Sequence, residues 1–95
     1  MKNQYVIIRA RGAGVFAGTL EAKEGSEVTL SNARRLWYWT GAASLSQLAV
    51  EGVKKPNSCK FTIPVSSITI LDVIEIIPCT NAARENIEAV PKWKM

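Results

Sequence analysis

The sequence contains no histidine and only two cysteines, Cys59 and Cys79. Two cysteines without CxxC spacing and without histidine do not make a zinc site, so we expect no bound metal and no cofactor. The missing histidine also removes the commonest general base, and no nucleophile motif accompanies the serines or cysteines. We therefore expect a protein that is not an enzyme.

Long apolar segments are missing as well. The strongest apolar run, Ile68–Ile77, is only about ten residues long and includes two carboxylates, so it cannot span a bilayer. The first five residues lack the apolar segment of a secretory signal peptide. We therefore predict no membrane partner, a cytoplasmic location and reduced thiols, and a disulfide between the two cysteines stays open for an exported chain.

Positive charge is present but sparse. Twelve basic and eight acidic residues give a formal net charge of +4, and the only basic doublets are Arg34-Arg35 and Lys54-Lys55. A nucleic-acid-binding domain usually carries a denser basic stripe, so nucleic acid is not favoured as a partner, and a small anionic ligand fits at least as well. The 95 residues are expected to form one domain, residues 1–95. A chain this short buries only about 60–65% of its unfolded surface, which favours a homo-oligomer.

The first half of the chain is predicted to contain three strands and a helix. The strands cover residues 2–11, 15–22 and 27–40, with turns at glycines between them. Gly18, inside the second strand, predicts a bulge or a close backbone approach. Ser44 followed by Gln47 is a capping-box signature, and Gly52 is a natural residue after a helix end, so a helix is predicted over Leu45–Glu51.

The second half is predicted to contain two more strands, at residues 59–63 and 67–77, and a helix from Asn81 to about Ala89 capped by Thr80. Apolar residues on both faces of the 67–77 segment favour a central strand. The order β-β-β-α-β-β-α has no long helical crossover between strands. We therefore predict an α+β fold with two short helices on a small, mostly antiparallel curled sheet or partial barrel.

The third predicted strand divides its residues between two faces. In a regular strand, alternation places Leu30, Leu36 and Tyr38 on the core face and Arg35, Trp37 and Trp39 on the other face. A bulge between residues 31 and 36 would invert that assignment.

The end of this strand is the predicted ligand site. Tryptophans can stack on a planar base, arginine can fork onto a phosphate, and the free amides of a helix N-terminus attract anions. The predicted ligand-binding residues are Arg35, Trp37, Trp39, Thr40, Gly41, Ala42 and Ser44, with Arg11 and Arg34 as further cations. The same aromatic residues also suit a second core layer or a subunit interface.

Four segments, at residues 15–20, 30–39, 41–49 and 73–80, resemble a family of small phage-encoded proteins. The resemblance covers residues 11 to about 89, and its most specific element is the string Arg34-Arg35-Leu36-Trp37-Tyr38-Trp39. This string is a family tag and not a catalytic motif, so it assigns no site. Small phage proteins often counter host defence, and one class, the sponges, sequesters cyclic-nucleotide or ADP-ribose-derived immune signals in oligomeric pockets without turning them over.

Together these observations predict a non-enzymatic binding protein that sequesters a small anionic nucleotide-like signal in phage counter-defence. The alternative is a structural or protein-interaction subunit, either a phage assembly component or an inhibitor that docks on a host protein. In that alternative, Trp37, Trp39 and Trp93 are interface anchors.

Overall fold

The computed structural model describes residues 1–95 and shows six antiparallel strands in an open, curled sheet with two helices. The strands are β1 (Tyr5–Ala10), β2 (Gly14–Glu24), β3 (Glu27–Tyr38), β4 (Lys60–Phe61), β5 (Val65–Ile70) and β6 (Val73–Pro78). The helices are α1 (Leu45–Glu51) and α2 (Asn81–Ala89). The sheet order is β4-β3-β2-β1-β6, and β5 also pairs with β3. The predicted α+β class with a curled antiparallel sheet is confirmed.

The sheet separates two apolar clusters because β1 is buried on both of its faces. Val6 and Ile8 contribute to the cluster inside the curl, here called the inner core. Tyr5 and Ile7 contribute to the cluster under the helices, here called the helix core. The inner core further contains Ala10, Phe16, Leu20, Val28, Leu30, Ala33 and Ile70. The helix core further contains Ala17, Leu36, Leu48, Ala49, Val53, Cys59, Phe61, Ile87 and Val90.

Both predicted helices are confirmed, with their predicted caps. Ser44 Oγ accepts the Gln47 N–H at 3.1 Å, and Thr80 Oγ1 accepts the Ala83 N–H at 3.0 Å. The Thr80 hydroxyl also donates to the Val50 carbonyl at 2.7 Å, which ties the start of α2 to α1. None of the helices has the length and apolar character needed to cross a membrane.

Gly18 and Asn32 mark a bulge between β2 and β3. The pairing register shifts between Ala17 and Thr19, and Asn32 adopts a φ of 49°. A β-carbon on Gly18 would lie 3.0 Å from Ala33 Cα, so the predicted close approach is confirmed. The extra residue also reverses the side-chain alternation of β3 beyond Asn32.

The face assignment of β3 is therefore wrong beyond the bulge. Leu36 packs in the helix core, whereas Leu30 packs in the inner core. Tyr38, predicted to be a core residue, is 52% exposed. Arg35 pairs with Phe16 and lies on the inner-core side, where its guanidinium contacts that ring.

The single strand predicted over residues 67–77 is wrong as well, because the structure divides it into β5 and β6. The division falls at Leu71 and Asp72, and Asp72 has a φ of 56°. β5 pairs with β3 and β6 pairs with β1, so this short turn carries the chain from one side of the curl to the other. Two hydrogen bonds hold it, Arg11 N–H to Asp72 O and Val73 N–H to Ser26 O, each 2.9 Å.

Candidate functional site

A surface groove of about 430 Å³ lies at one end of the sheet, where β3 ends beside the C-terminal segment. We call it the tryptophan groove, and it is lined by Gly12, Ala13, Arg35, Trp37, Thr62 and Trp93. Its volume falls within the range of about 300–1,000 Å³ that is usual for small-molecule sites. It brings together a cation, two large aromatic rings and the turn between β1 and β2.

The two tryptophans of the groove form a parallel stack. The ring centroids of Trp37 and Trp93 are 6.3 Å apart and their planes differ by 8°. Both stay accessible, with Trp37 63% exposed and Trp93 42% exposed. The backbone N–H of Trp93 donates to the Phe61 carbonyl at 2.9 Å, which fixes the C-terminal segment to β4. Lys60 Nζ lies 5.5 Å from the centre of the Trp93 ring and adds positive charge at this edge.

Arg35 supplies a fixed cation with free donors. Its guanidinium carbon lies 4.6 Å from the centre of the Phe16 ring, a cation–π distance that restrains the side chain. The backbone of Arg35 is bound on both sides by Thr62, which donates its N–H to Arg35 O at 3.0 Å and accepts the Arg35 N–H at 2.9 Å. The protein forms no salt bridge or hydrogen bond with the guanidinium, so its N–H donors are available to an anion.

A second groove, of about 330 Å³, continues from the first on the other side of Arg35. Both grooves are lined by Gly12, Ala13 and Arg35. The walls of the second groove come from Phe16 and from the β5–β6 region, residues 68–72. Arg35 therefore lies between the stacked tryptophans and a mixed surface that includes apolar side chains and the Asp72 carboxylate.

Trp39 and the residues after it lie elsewhere, which corrects the predicted grouping. β3 ends at Tyr38, and the half-buried Trp39 packs against the helix core together with Ala42. The Thr40 carbonyl faces the Cys59 sulfur at 3.7 Å, and the Gly41 carbonyl accepts the Lys54 N–H at 3.2 Å. This connector therefore packs on the helix side and does not line the tryptophan groove.

The start of α1 lies away from the tryptophan groove and uses some of its amides internally. The Ser44 hydroxyl caps Gln47, and the Gln47 side chain in turn accepts the Ala43 N–H at 2.7 Å. The Ala43 and Gln47 amides are therefore used within the protein, and none of residues 43 to 45 lines the tryptophan groove. Because α1 has only seven residues, its dipole adds little.

Arg34 is buried, which corrects its predicted role as a ligand cation. It is 3% exposed. Its guanidinium donates to four carbonyl oxygens at 2.8 to 3.3 Å, those of Thr62, Ile87, Phe61 and Pro91. Burial lowers the pKa of Arg34 below its ordinary value. The residue therefore joins β3, β4 and the end of α2.

Arg11 is exposed beside the β1–β2 turn but does not line either groove.

Four lining residues lie outside the predicted ligand-binding set: Gly12, Ala13, Thr62 and Trp93. Thr62 carries no motif, and only its pairing with Arg35 places it in the groove. Trp93 was named as an interface anchor in the alternative function, and the structure shows that it contacts Trp37 of its own chain. The aromatic character of residues 91–95 was the only signal that could have indicated it.

These features define a small α+β domain whose open curled sheet carries a cationic, aromatic surface groove. Within that class, the chain belongs to the family described as a domain of unknown function, DUF6948, whose model matches residues 3–87. The match includes Arg35 and Trp37 but not Trp93. Neither the curated proteins nor the solved structures include a match to this chain.

Proposed function

We propose that the protein binds and sequesters a small anionic nucleotide-like ligand in the tryptophan groove, with the phage counter-defence role that the sequence resemblance implies. The observation that carries this proposal is the position of the free Arg35 fork beside the exposed Trp37–Trp93 stack. A base stacks on an exposed indole with a gain of about 1–3 kcal/mol, and guanidinium binds phosphate through two parallel hydrogen bonds.

The charges around the groove favour an anion. Arg35 lines it, and Lys60 contacts the edge of Trp93. None of the six lining residues is a carboxylate. A phosphate placed on Arg35 therefore meets no fixed negative charge among the residues that line the tryptophan groove. The Arg35 guanidinium, which would pair with that phosphate, is already held in position by the Phe16 ring.

The lining chemistry also supports binding without turnover. Arginine, tryptophan, threonine, glycine and alanine supply stacking and hydrogen bonds but no general base at neutral pH. The groove is open, so a single copy leaves part of a bound nucleotide in water. A homo-oligomer in which a second copy covers the groove would complete the enclosure that sequestration needs.

Tryptophan fluorescence tests this proposal. Titration with mononucleotides, cyclic dinucleotides and ADP-ribose should quench the wild-type emission in a saturable manner for at least one of them. Trp37→Ala should abolish the saturable response, and Arg35→Gln should weaken affinity about tenfold, as expected for one lost charge-assisted contact. Tyr38→Ala is the matched control because Tyr38 is the neighbouring exposed aromatic residue and lies outside the groove.

The second candidate is a protein-interaction subunit, and the exposure of the Trp37–Trp93 stack favours it specifically. Large exposed tryptophans are typical anchors of protein interfaces. In this case Trp37→Ala would prevent capture of a protein partner or assembly of the oligomer, and no nucleotide would alter the fluorescence. Size-exclusion chromatography with light scattering, performed on the same variants, separates the two candidates.

A further inference from the structure

A separate recess of about 160 Å³ lies on the other face of β3 from the tryptophan groove. It is lined by Tyr5, Asn32, Arg34, Pro64, Glu88 and Lys92. A single water needs only roughly 10–15 Å³ of such space, so this recess can hold a larger group. It shares no lining residue with the tryptophan groove.

Tyr5 is the first unusual feature of this recess. It is 4% exposed, and its buried hydroxyl has no hydrogen-bond partner in the protein. A buried hydroxyl without a partner costs about 1–3 kcal/mol, so folded proteins rarely keep one without a reason. Burial and the nearby Glu88 raise the pKa of Tyr5 above its ordinary range, so the phenol keeps its proton and remains a donor.

Arg34 is the second unusual feature of this recess. A guanidinium has five N–H donors, and the four hydrogen bonds to carbonyl oxygens leave one Nη1 hydrogen without a partner. No carboxylate forms a salt bridge with Arg34. A buried cation without a counter-ion is costly, and an anion that enters the recess would reduce that cost.

Asn32 is the third. It occupies the bulge of β3 with a positive φ, and it lines the recess. Bulges and left-handed non-glycine residues are enriched beside binding sites. Three departures from ordinary packing therefore meet in one place: a lone hydroxyl, an unpaired buried cation and a bulge.

The charges of the recess select the sign of its ligand. Arg34 and Lys92 are positive, and Glu88 is the only lining carboxylate. Glu88 pairs with Arg84 at 3.4 Å and accepts a hydrogen bond from Asn32 Nδ2 at 3.5 Å, so both of its oxygens have partners. The lining therefore carries two positive charges and one negative charge. We propose that this recess is a second ligand site, which binds a small oxyanion, a phosphate or carboxylate group, through Tyr5, Arg34 and Lys92.

A thermal-unfolding series tests the site with sodium phosphate and sodium acetate, each compared with sodium chloride at equal ionic strength. An anion that binds only the folded state raises Tm with concentration. The wild type should show this rise with phosphate or acetate and not with chloride, and the more effective salt identifies the preferred group. An equal rise in all three salts would overturn the proposal, because it would show general screening.

Two conservative variants localise the effect. Tyr5→Phe removes only the lone hydroxyl, so its Tm without oxyanion should equal or exceed that of the wild type, while its oxyanion-dependent rise should be smaller. Lys92→Gln should weaken the apparent affinity by about threefold to tenfold. Lys94→Gln is the matched control, because it removes the same charge from a residue outside the recess. Equal oxyanion responses in the wild type, Tyr5→Phe and Lys92→Gln would contradict the site.

Discussion

Trp37 and Trp93 stack with their rings 8° from parallel, so the C-terminal segment completes a surface that β3 begins. The contact is made on the outside of the domain, where both rings remain accessible. An exposed stack of this kind adds only a little to folding, since aromatic pairs contribute about 0.5–1.5 kcal/mol beyond their burial. Its position beside Arg35 gives it a binding role in our account.

Trp93→Ala should therefore separate stability from binding. The free energy of unfolding should fall by about 1–4 kcal/mol, because the stack and the partial burial of the Trp93 ring are both lost. The emission of Trp37 should shift to longer wavelength as its ring becomes fully hydrated, and nucleotide affinity should fall about tenfold. Urea denaturation and fluorescence titration measure the two effects. A large loss of stability with unchanged affinity would show that the stack is structural.

Arg34 and Arg35 should behave in opposite ways although they are neighbours. Arg34→Met leaves four carbonyl oxygens without their donor, so unfolding free energy should fall by at least about 3 kcal/mol. Arg35→Met loses only an exposed cation–π contact and should change stability by less than about 1 kcal/mol. Chemical denaturation of both variants is the measurement. Similar losses for the two would contradict the division of roles between these arginines.

The Gly18 contact gives a third test. A β-carbon there would meet Ala33 Cα and the Ser31 carbonyl oxygen, both at 3.0 Å, and backbone atoms cannot move aside cheaply. Gly18→Ala should therefore cost about 1–3 kcal/mol. Gly12→Ala is the matched control, because nothing lies within 4 Å of the added carbon and the change should stay within about 0.5 kcal/mol. Equal melting temperatures for both variants would show that β3 does not approach Gly18 closely.

Alkaline pH should weaken the fold through Cys79. Burial raises the pKa of this thiol from 9.0 to about 11. Between these values the unfolded chain releases the proton while the folded chain keeps it, so unfolding is favoured as pH rises. Stability should therefore be level below pH 9 and decline from pH 9 to 11. In Cys79→Ala the decline over that interval should be smaller, as measured by urea denaturation at several pH values. If the free energy of unfolding falls equally steeply with pH in Cys79→Ala and in the wild type, Cys79 is not the cause of the decline.

Local sequence signals predicted the parts of the fold that depend on local chemistry. The bounds of α1 were predicted from its capping residues and Gly52. Gly18 predicted the close backbone approach, which is to Ala33. Asn32 was harder to interpret, because asparagine tolerates a positive φ and yet also occurs in regular strands. That one bulge moved Arg35 to the inner-core side and Leu36 to the helix core.

Two other features could not be predicted because they depend on distant parts of the chain. The turn at Leu71 and Asp72 contains neither glycine nor proline, so the apolar pattern continued through it and indicated one strand. The burial of Arg34 depends on carbonyl groups from β4 and the end of α2, which only the folded arrangement brings together. Of the candidate site, Arg35 and Trp37 were predicted together correctly as neighbours on one face, whereas Trp39 was assigned to that face wrongly.

Recovery of an unaltered ligand tests nucleotide sequestration most directly. The wild-type protein, Trp37→Ala and Tyr38→Ala are each incubated with the nucleotide panel, separated from free nucleotide and denatured, and the released compound is identified by mass spectrometry. If the tryptophan groove sequesters a nucleotide, the wild type and Tyr38→Ala release an intact anionic nucleotide and Trp37→Ala releases none. Release of a chemically altered product, or no retained nucleotide from the wild type, would contradict nucleotide sequestration.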